Sequence, residues 1–545
     1  MKRILVLGGY GVFGRRICER LARVQDIEVI IAGRSLKKAN DFAKTITNAQ
    51  CNISTLEIDI QTLHSSELDD QNIFALINAC GPFHIQDYTL AQLCIELGIH
   101  YIDLSDNRAF VTEISVLNDA AVNCGVCVIS GASTVPALSS AVIDHFQGEF
   151  SELESIDYGV TPGNQTDRGV GTVAAILSYV GKPFETQINN NQKTIYGWQN
   201  LHRTHYPVIG RRWMSNCDIP DLDLFLERYP NLKNIRFYAG LQLSLLHLGL
   251  WFLSWPSRWG WIKNLDKYAG FMRRISLWFY NFGTDRGGMH VKISGKDLAG
   301  KSISKEWYLI AYDGDGPYIP ATPSVIVVKK ILSGSLDHAG AMPCMGLFTL
   351  NEFMNEVSDL NIKSHTDEPL YQRYLQERYK VLPKVVQHLH HYKDEVTYSG
   401  QCDVVRGRNP FCRSLAAILS LPPNGTGQPL RVHFKKDGGA EHWTRYFGDK
   451  KFYSKQWDQD GVLYEKINIT TLAFHIDANE EALNLKLKQV YVLALPVGWL
   501  FKPKVIARES DQNDNFIVNV EVHLPLFGLL VKYDGWLSVD GAHKS

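Results

Sequence analysis

Residues 4–35, ILVLGGYGVFGRRICERLARVQDIEVIIAGRS, constrain the fold of this chain more than any other stretch. An apolar run from Ile4 to Leu7 meets glycines spaced Gly9-x-Gly11-x-x-Gly14. An amphipathic helix follows, and a second apolar run covers Glu28 to Ala32. This is strand–turn–helix–strand, the unit that holds a dinucleotide at a helix N-terminus. Gly9 permits the tight turn, Gly11 lets the backbone approach a pyrophosphate without a Cβ, and Gly14 lets the helix pack closely on the strand. The N–H groups around Val12 and Phe13 then face the anion, assisted by the helix dipole. The second strand ends in Gly33-Arg34-Ser35, where an NAD site usually has an acidic residue for the ribose 2′-hydroxyl. Arg34 suits a 2′-phosphate instead, so NADP is expected over NAD.

Strand and helix keep alternating beyond this unit. Ser54–Ile60 reads as a third strand, with Asp59 at its tip facing the adenine end. Ile73–Ala79 reads as a fourth, buried on both faces and running into Cys80-Gly81-Pro82-Phe83. Ala79, Gly81 and Pro82 then stand at the carboxyl end of a parallel strand, where a nicotinamide ribose would lie. A helix at Leu90–Leu97 and strands at His100–Leu104 and Val126–Ser130 complete a doubly wound region of about 130 residues.

A length of 545 residues implies two or three domains. The formal net charge of −1 argues against nucleic-acid binding. The ten cysteines are scattered, several in apolar runs (Cys18, Cys80, Cys94), as free buried thiols are. Cys124-Gly-Val-Cys127 has zinc or redox spacing, but no second pair stands at ribbon distance, so no metal site is expected. The N-terminus enters a strand at once, without the pattern of a secretory signal, and a cytoplasmic location is expected.

Gly81-Pro-Phe83, His100-Tyr-Ile-Asp-Leu-Ser105 and Gly131-Ala-Ser-Thr-Val-Pro-Ala137 resemble, in order and spacing, the saccharopine dehydrogenase (reductase)-like family. The resemblance covers about residues 1–355. It implies a Rossmann doubly wound parallel sheet (1–130) with an inserted α+β domain for substrate and dimer contacts (131–355) that returns to the first. Gly169–Leu177 looks like the family's helix near the nicotinamide, and Gly340–Gly346 like its return segment. A homodimer is what the family leads one to expect.

Within 131–355, Ser155–Thr161, Gly288–Ser294 and Glu306–Tyr312 alternate like strands, with a glycine-rich turn at Gly283–Gly288. The stretch 238–261 is the unusual one. It reads as a single apolar helix interrupted by Gln242, Ser244, His247 and Ser254 and ended by Pro256. It suits a buried core or dimer helix, a greasy channel wall or membrane-interface helix, or a transmembrane span. Arg258, Lys263, Lys267, Arg273 and Arg274 follow it among tryptophans, a mixture that fits peripheral membrane contact or a solvated face.

From about residue 360 the pattern changes. A charged helical segment, Glu368–Tyr392, carries His388, His390 and His391, whose spacing does not suit a shared metal. Leu430–Lys435, Glu441–Phe447, Ile467–Ala473, Leu487–Ala494, Phe516–Leu524 and Leu529–Tyr533 then alternate between turn residues. They predict a mainly antiparallel β domain over 365–545, curved or closed. Trp443–Phe447, Leu495–Trp499 and Tyr533–Leu537 resemble DUF4166, an uncharacterised domain found behind saccharopine dehydrogenase-like domains. Its aromatics leave open either an apolar ligand cavity or an ordinary sheet core.

The resulting expectation is an NADP-dependent oxidoreductase acting on a hydrophobic or carrier-bound, lipid-like small molecule. The alternative is a non-catalytic nucleotide-binding or membrane-peripheral lipid-binding protein. Asp103, Ser105, Asp106 and Ser133 at strand ends, and Asp167, Arg168 and His290 from the middle region, are cleft candidates, though each such residue alone is more often a turn residue or cap. No catalytic residue is singled out among them.

Overall fold

The computed structural model describes residues 1–543 apart from 61, 63–64, 337, 367–368, 393–394 and 438. They form two compact units, one of residues 1–203 and 212–364, the other of 204–211 and 365–545.

The first unit opens with strand β1 (Lys2–Leu7), helix α1 (Val12–Leu21) and strand β2 (Ile27–Gly33). Strands β3 (Asn52–Glu57), β4 (Ala75–Asn78), β5 (His100–Asp103) and β6 (Cys127–Ser130) follow. Their spatial order is 3-2-1-4-5-6, and every register given is parallel. A parallel sheet is covered on both faces, which is why its strands read as continuous apolar runs. Successive β1 side chains go to opposite sides: Ile4 and Val6 join one core, Leu5 and Leu7 another. Gly340–Pro343 adds a seventh strand alongside β6, also parallel, so the chain does return to its first sheet.

Between these lies a mixed sheet built on strand β7 (Phe150–Thr161), flanked by Asn234–Leu241 (parallel) and Gly287–Asp297 (antiparallel). Where the sequence suggests separate domains at 1–130 and 131–355, one hydrophobic cluster runs from Ile4 through Tyr158, Phe225 and Trp307 to Ile362. The two sheets therefore share a core and form one unit.

The stretch 238–261 is not one helix. Its first residues finish the strand Asn234–Leu241, and the helix is Ser244–Arg258, with Pro256 inside its last turn rather than ending it. Both segments are apolar, so periodicity alone did not separate them. Among the described residues no helix is long and apolar enough to cross a membrane. Cys124 and Cys127 belong to a helix end and a strand start, joined by Gly125 in the left-handed conformation (φ +67°).

In the second unit ten antiparallel strands between Glu395 and His543 pair in a ring, closed by Thr470–Ala478 against Ala482–Val492. Closure removes free sheet edges. The expected strand Ile467–Ala473 is split by a turn at Asn468, whose φ is +50°. Glu368 lies outside the described residues, and the helical segment resolves into short helices from Leu370 to His390. These pack into the barrel's core with Trp443, Phe474 and Phe516. Buried polar contacts meet them there: the Arg373–Asp458 ion pair (2.7 Å) and the hydrogen-bonded contact of His390 Nε2 with Glu509 (2.7 Å).

Candidate functional site

The cavity lies in the first unit, outside the carboxyl ends of β1–β5, with a volume of about 1290 Å³. The switch in strand order between β1 and β4 opens there, as in other open α/β sheets. Pockets for a single drug-sized ligand are about 300–1,000 Å³, so this one has room for a cofactor and a second molecule.

The glycine loop is locked by contact. A Cβ on Gly14 would lie 2.1 Å from Gly8 O, so only glycine lets α1 start against the loop. Gly9 donates its N–H to Ala32 O (3.1 Å), and Gly11 to Gly8 O (2.7 Å). The first intrahelical bond runs from Arg15 N–H to Gly11 O (3.0 Å), so the N–H groups of Val12, Phe13 and Gly14 precede the ladder. Gly11, Val12, Phe13, Arg34, Asp59, Ala79, Gly81 and Pro82 all line the cavity. Gly9 and Gly14 stand behind it as packing positions. Ser35 is not a lining residue either, because its side chain caps the next helix by accepting from Lys38 N–H.

Tyr10, an unspecified position of the glycine motif, was missed. Its hydroxyl accepts Ser35 N–H (3.0 Å), and its ring covers Gly33, where a Cβ would lie 2.8 Å from the ring. It thereby sets the floor beside Arg34. Cys80 stays a thiol, since burial raises its pKa to about 11.

The second half of the wall comes from the mixed-sheet region. Helix Val170–Tyr179 starts at Gly169, and a Cβ on Gly171 would lie 3.4 Å from Gly81, so this helix closes over the end of β4. Arg168 and Arg273 both line the cavity, and Arg273 Nε donates to Arg168 O (2.9 Å). Burial, and then the neighbouring Arg273 charge, hold Arg168 below its ordinary pKa. An anion between them would relieve that repulsion. Nothing in a 105-residue separation signals this pairing. The cavity wall also carries apolar side chains, among them Ile176, Phe184, Phe237, Leu250 and Met272.

Of the cleft candidates, Asp106, Ser133, Asp167 and Arg168 line the cavity. Asp103 does not. It is fully buried, and its Oδ1 accepts Ser105 N–H (2.9 Å), Gly131 N–H (2.9 Å) and Ser130 Oγ–H (3.0 Å), tying β5 to β6. Ser105 accepts from Asn107 N–H (3.2 Å). His290 turns instead toward Asp157 (3.8 Å) and Tyr308. Asp106 is exposed where it opens onto the cavity, and partial desolvation in the cleft raises its pKa, offset first by its own backbone N–H and then by nearby His84. His84, Tyr179 and Cys217 line the same region. No group of His, Cys, Asp and Glu among the described residues is arranged to hold a metal.

Residues 4–129 match the family model "Saccharopine dehydrogenase NADP binding domain", and residues 382–537 match "Domain of unknown function (DUF4166)". Among solved structures, saccharopine dehydrogenase (L-Glu forming) from Saccharomyces cerevisiae is 15% identical, covering 67% of this chain and 100% of its own, with a TM-score of 0.48. A meso-dapdh mutant from Clostridium tetani is 12% identical, covering 66% of this chain and 99% of its own, with a TM-score of 0.33. The curated proteins contain no match.

Proposed function

Because residues 4–129 are a saccharopine dehydrogenase-type NADP-binding domain joined to a DUF4166 domain, we propose that the protein is an NADP-dependent oxidoreductase whose substrate has an apolar body and an anionic head. The observation that carries this is one cavity lined both by the glycine loop with Arg34 and by the Arg168–Arg273 pair with apolar side chains. Gly169, next to Arg168, stands beside Val12 of the glycine loop, so the arginine pair adjoins the cofactor end of the cavity. When bound, the nicotinamide supplies or accepts the hydride. The N–H groups of Val12 and Phe13 would receive the pyrophosphate and Arg34 the 2′-phosphate. Arg168 and Arg273 would orient the substrate's acidic group. Asp106, which opens onto the cavity, would carry the proton.

The test is fluorescence titration with NADPH and NADH, followed by cofactor oxidation with acidic lipids and acyl thioesters as substrates. Arg34→Asp is expected to weaken NADPH about tenfold or more while leaving NADH binding within about threefold. Failure of the wild-type protein to bind either nucleotide overturns the proposal. Tight NADPH binding without turnover on any apolar acid supports the non-catalytic alternative instead.

A further inference from the structure

The helices that wall the cavity are built inside out. Ser244–Arg258 buries His247, Leu250, Ser254 and Ser257. Its buried polar groups are bonded: His247 to Ser215 Oγ (3.0 Å), Ser254 Oγ–H to Trp251 O (2.6 Å) and Ser257 Oγ–H to Val180 O (2.8 Å). The opposite stripe, Leu245 and Phe252 at a seven-residue interval with Trp259 one interval further, is exposed. Helix Ala269–Trp278 repeats the arrangement. Met272, Arg273 and Ser276 line the cavity, while Phe271, Arg274 and Trp278 are solvent-exposed. Trp261 (75%), Trp278 (77%) and Phe282 (76%) are the most exposed aromatics in the segment. An apolar patch of this kind on a folded surface marks an interaction site.

Charge identifies the occupant. Of the five cationic residues in segment 244–282, Arg273 faces the cavity, while Arg258, Lys263, Lys267 and Arg274 are exposed, against one acid, Asp266. Exposed lysines beside tryptophans suit the boundary between acyl chains and anionic headgroups, whereas lysine is depleted at protein–protein interfaces. We propose that the outward face of segment 244–282 docks on an anionic lipid bilayer. Leu250 of the first helix and Met272, Arg273 and Ser276 of the second line the cavity, so docking sets a lipid surface against its outer wall. This does not depend on the redox reading, because lipid binding is measured without cofactor.

The test is flotation of the full-length protein with phosphatidylcholine vesicles, with and without about one-third phosphatidylglycerol. Wild-type protein is expected to float with the anionic vesicles and to be released by about 0.5 M salt. The triple variant Trp261→Ala/Phe271→Ala/Trp278→Ala should lose about tenfold or more in partitioning, and Lys263→Glu/Lys267→Glu should lose preference for anionic lipid. Unchanged circular dichroism and melting of both variants establish that they fold. Absence of flotation overturns the proposal. So does flotation that the triple variant retains, or a wild-type dimer in light scattering that the triple variant converts to monomer, since the patch is then covered by a second copy.

Discussion

At Gly14 the space for a side chain is already taken by a carbonyl oxygen. Gly14→Ala should cost about 1–3 kcal/mol of stability in denaturant unfolding, and NADPH affinity should fall because α1 is pushed off the loop. Asp106 is a different kind of position, open to the cavity and with its pKa raised by partial desolvation in the cleft. If it carries the proton as an acid in reduction, activity is present while it is protonated and is lost as pH rises through its raised pKa. Asp106→Asn should remove that limb of the kcat profile and lower kcat about a hundredfold, with NADPH binding unchanged. An unaltered profile would assign the proton elsewhere. Sequence alone places Gly11, Arg34 and Asp59 on the cavity because each obeys a local rule of strand, turn and tip. It does not find Tyr10, whose contact with Ser35 depends on how β1 and β2 are juxtaposed, or the meeting of Arg168 with Arg273.

Buried polar groups also tie elements together, and Asp221 is a clear case. It begins the helix Asp221–Arg228 and is fully buried, accepting the Ser139 hydroxyl from a second helix and facing Tyr158 on β7. Burial raises its pKa to about 7. The folded protein therefore holds a proton there that the unfolded chain releases near the usual carboxylate value of 3.8. Its contribution to stability is complete below that value and is lost as pH rises through about 7. Thermal melts of Asp221→Asn should show a flatter decline across that window, a difference on the order of a few kcal/mol at its upper end. The parallel strands were readable because burial on both faces leaves an unbroken apolar run. The segment 238–261 misled because an apolar strand end and an apolar helix adjoin, with only Gln242 and Leu243 between them.

For the whole molecule, division into two compact units predicts two unfolding transitions in calorimetry. NADPH at a hundred times its Kd should raise only the transition of the cavity-bearing unit, by the equivalent of about 2.7 kcal/mol. A single transition that shifts as one would show that the units unfold together. The barrel was legible as short alternating runs between turn residues, but its interior was not. Arg373, Asp458, His390 and Glu509 come from strands and helices far apart in sequence, and their pairing follows only from closure.

The strand Gly340–Pro343 completes the first sheet about 200 residues after β6, its neighbour, has left the ribosome. During synthesis the cofactor crevice between β1 and β4 can assemble early, while the outer edge of β6 waits with unpaired backbone groups until all of the mixed sheet but its last strand, Ile362–His365, has been made. The nascent chain thus acquires nucleotide-binding geometry before it can seal its sheet. A ribosome stalled after residue 160 would present a half-finished edge to chaperones or to neighbouring chains.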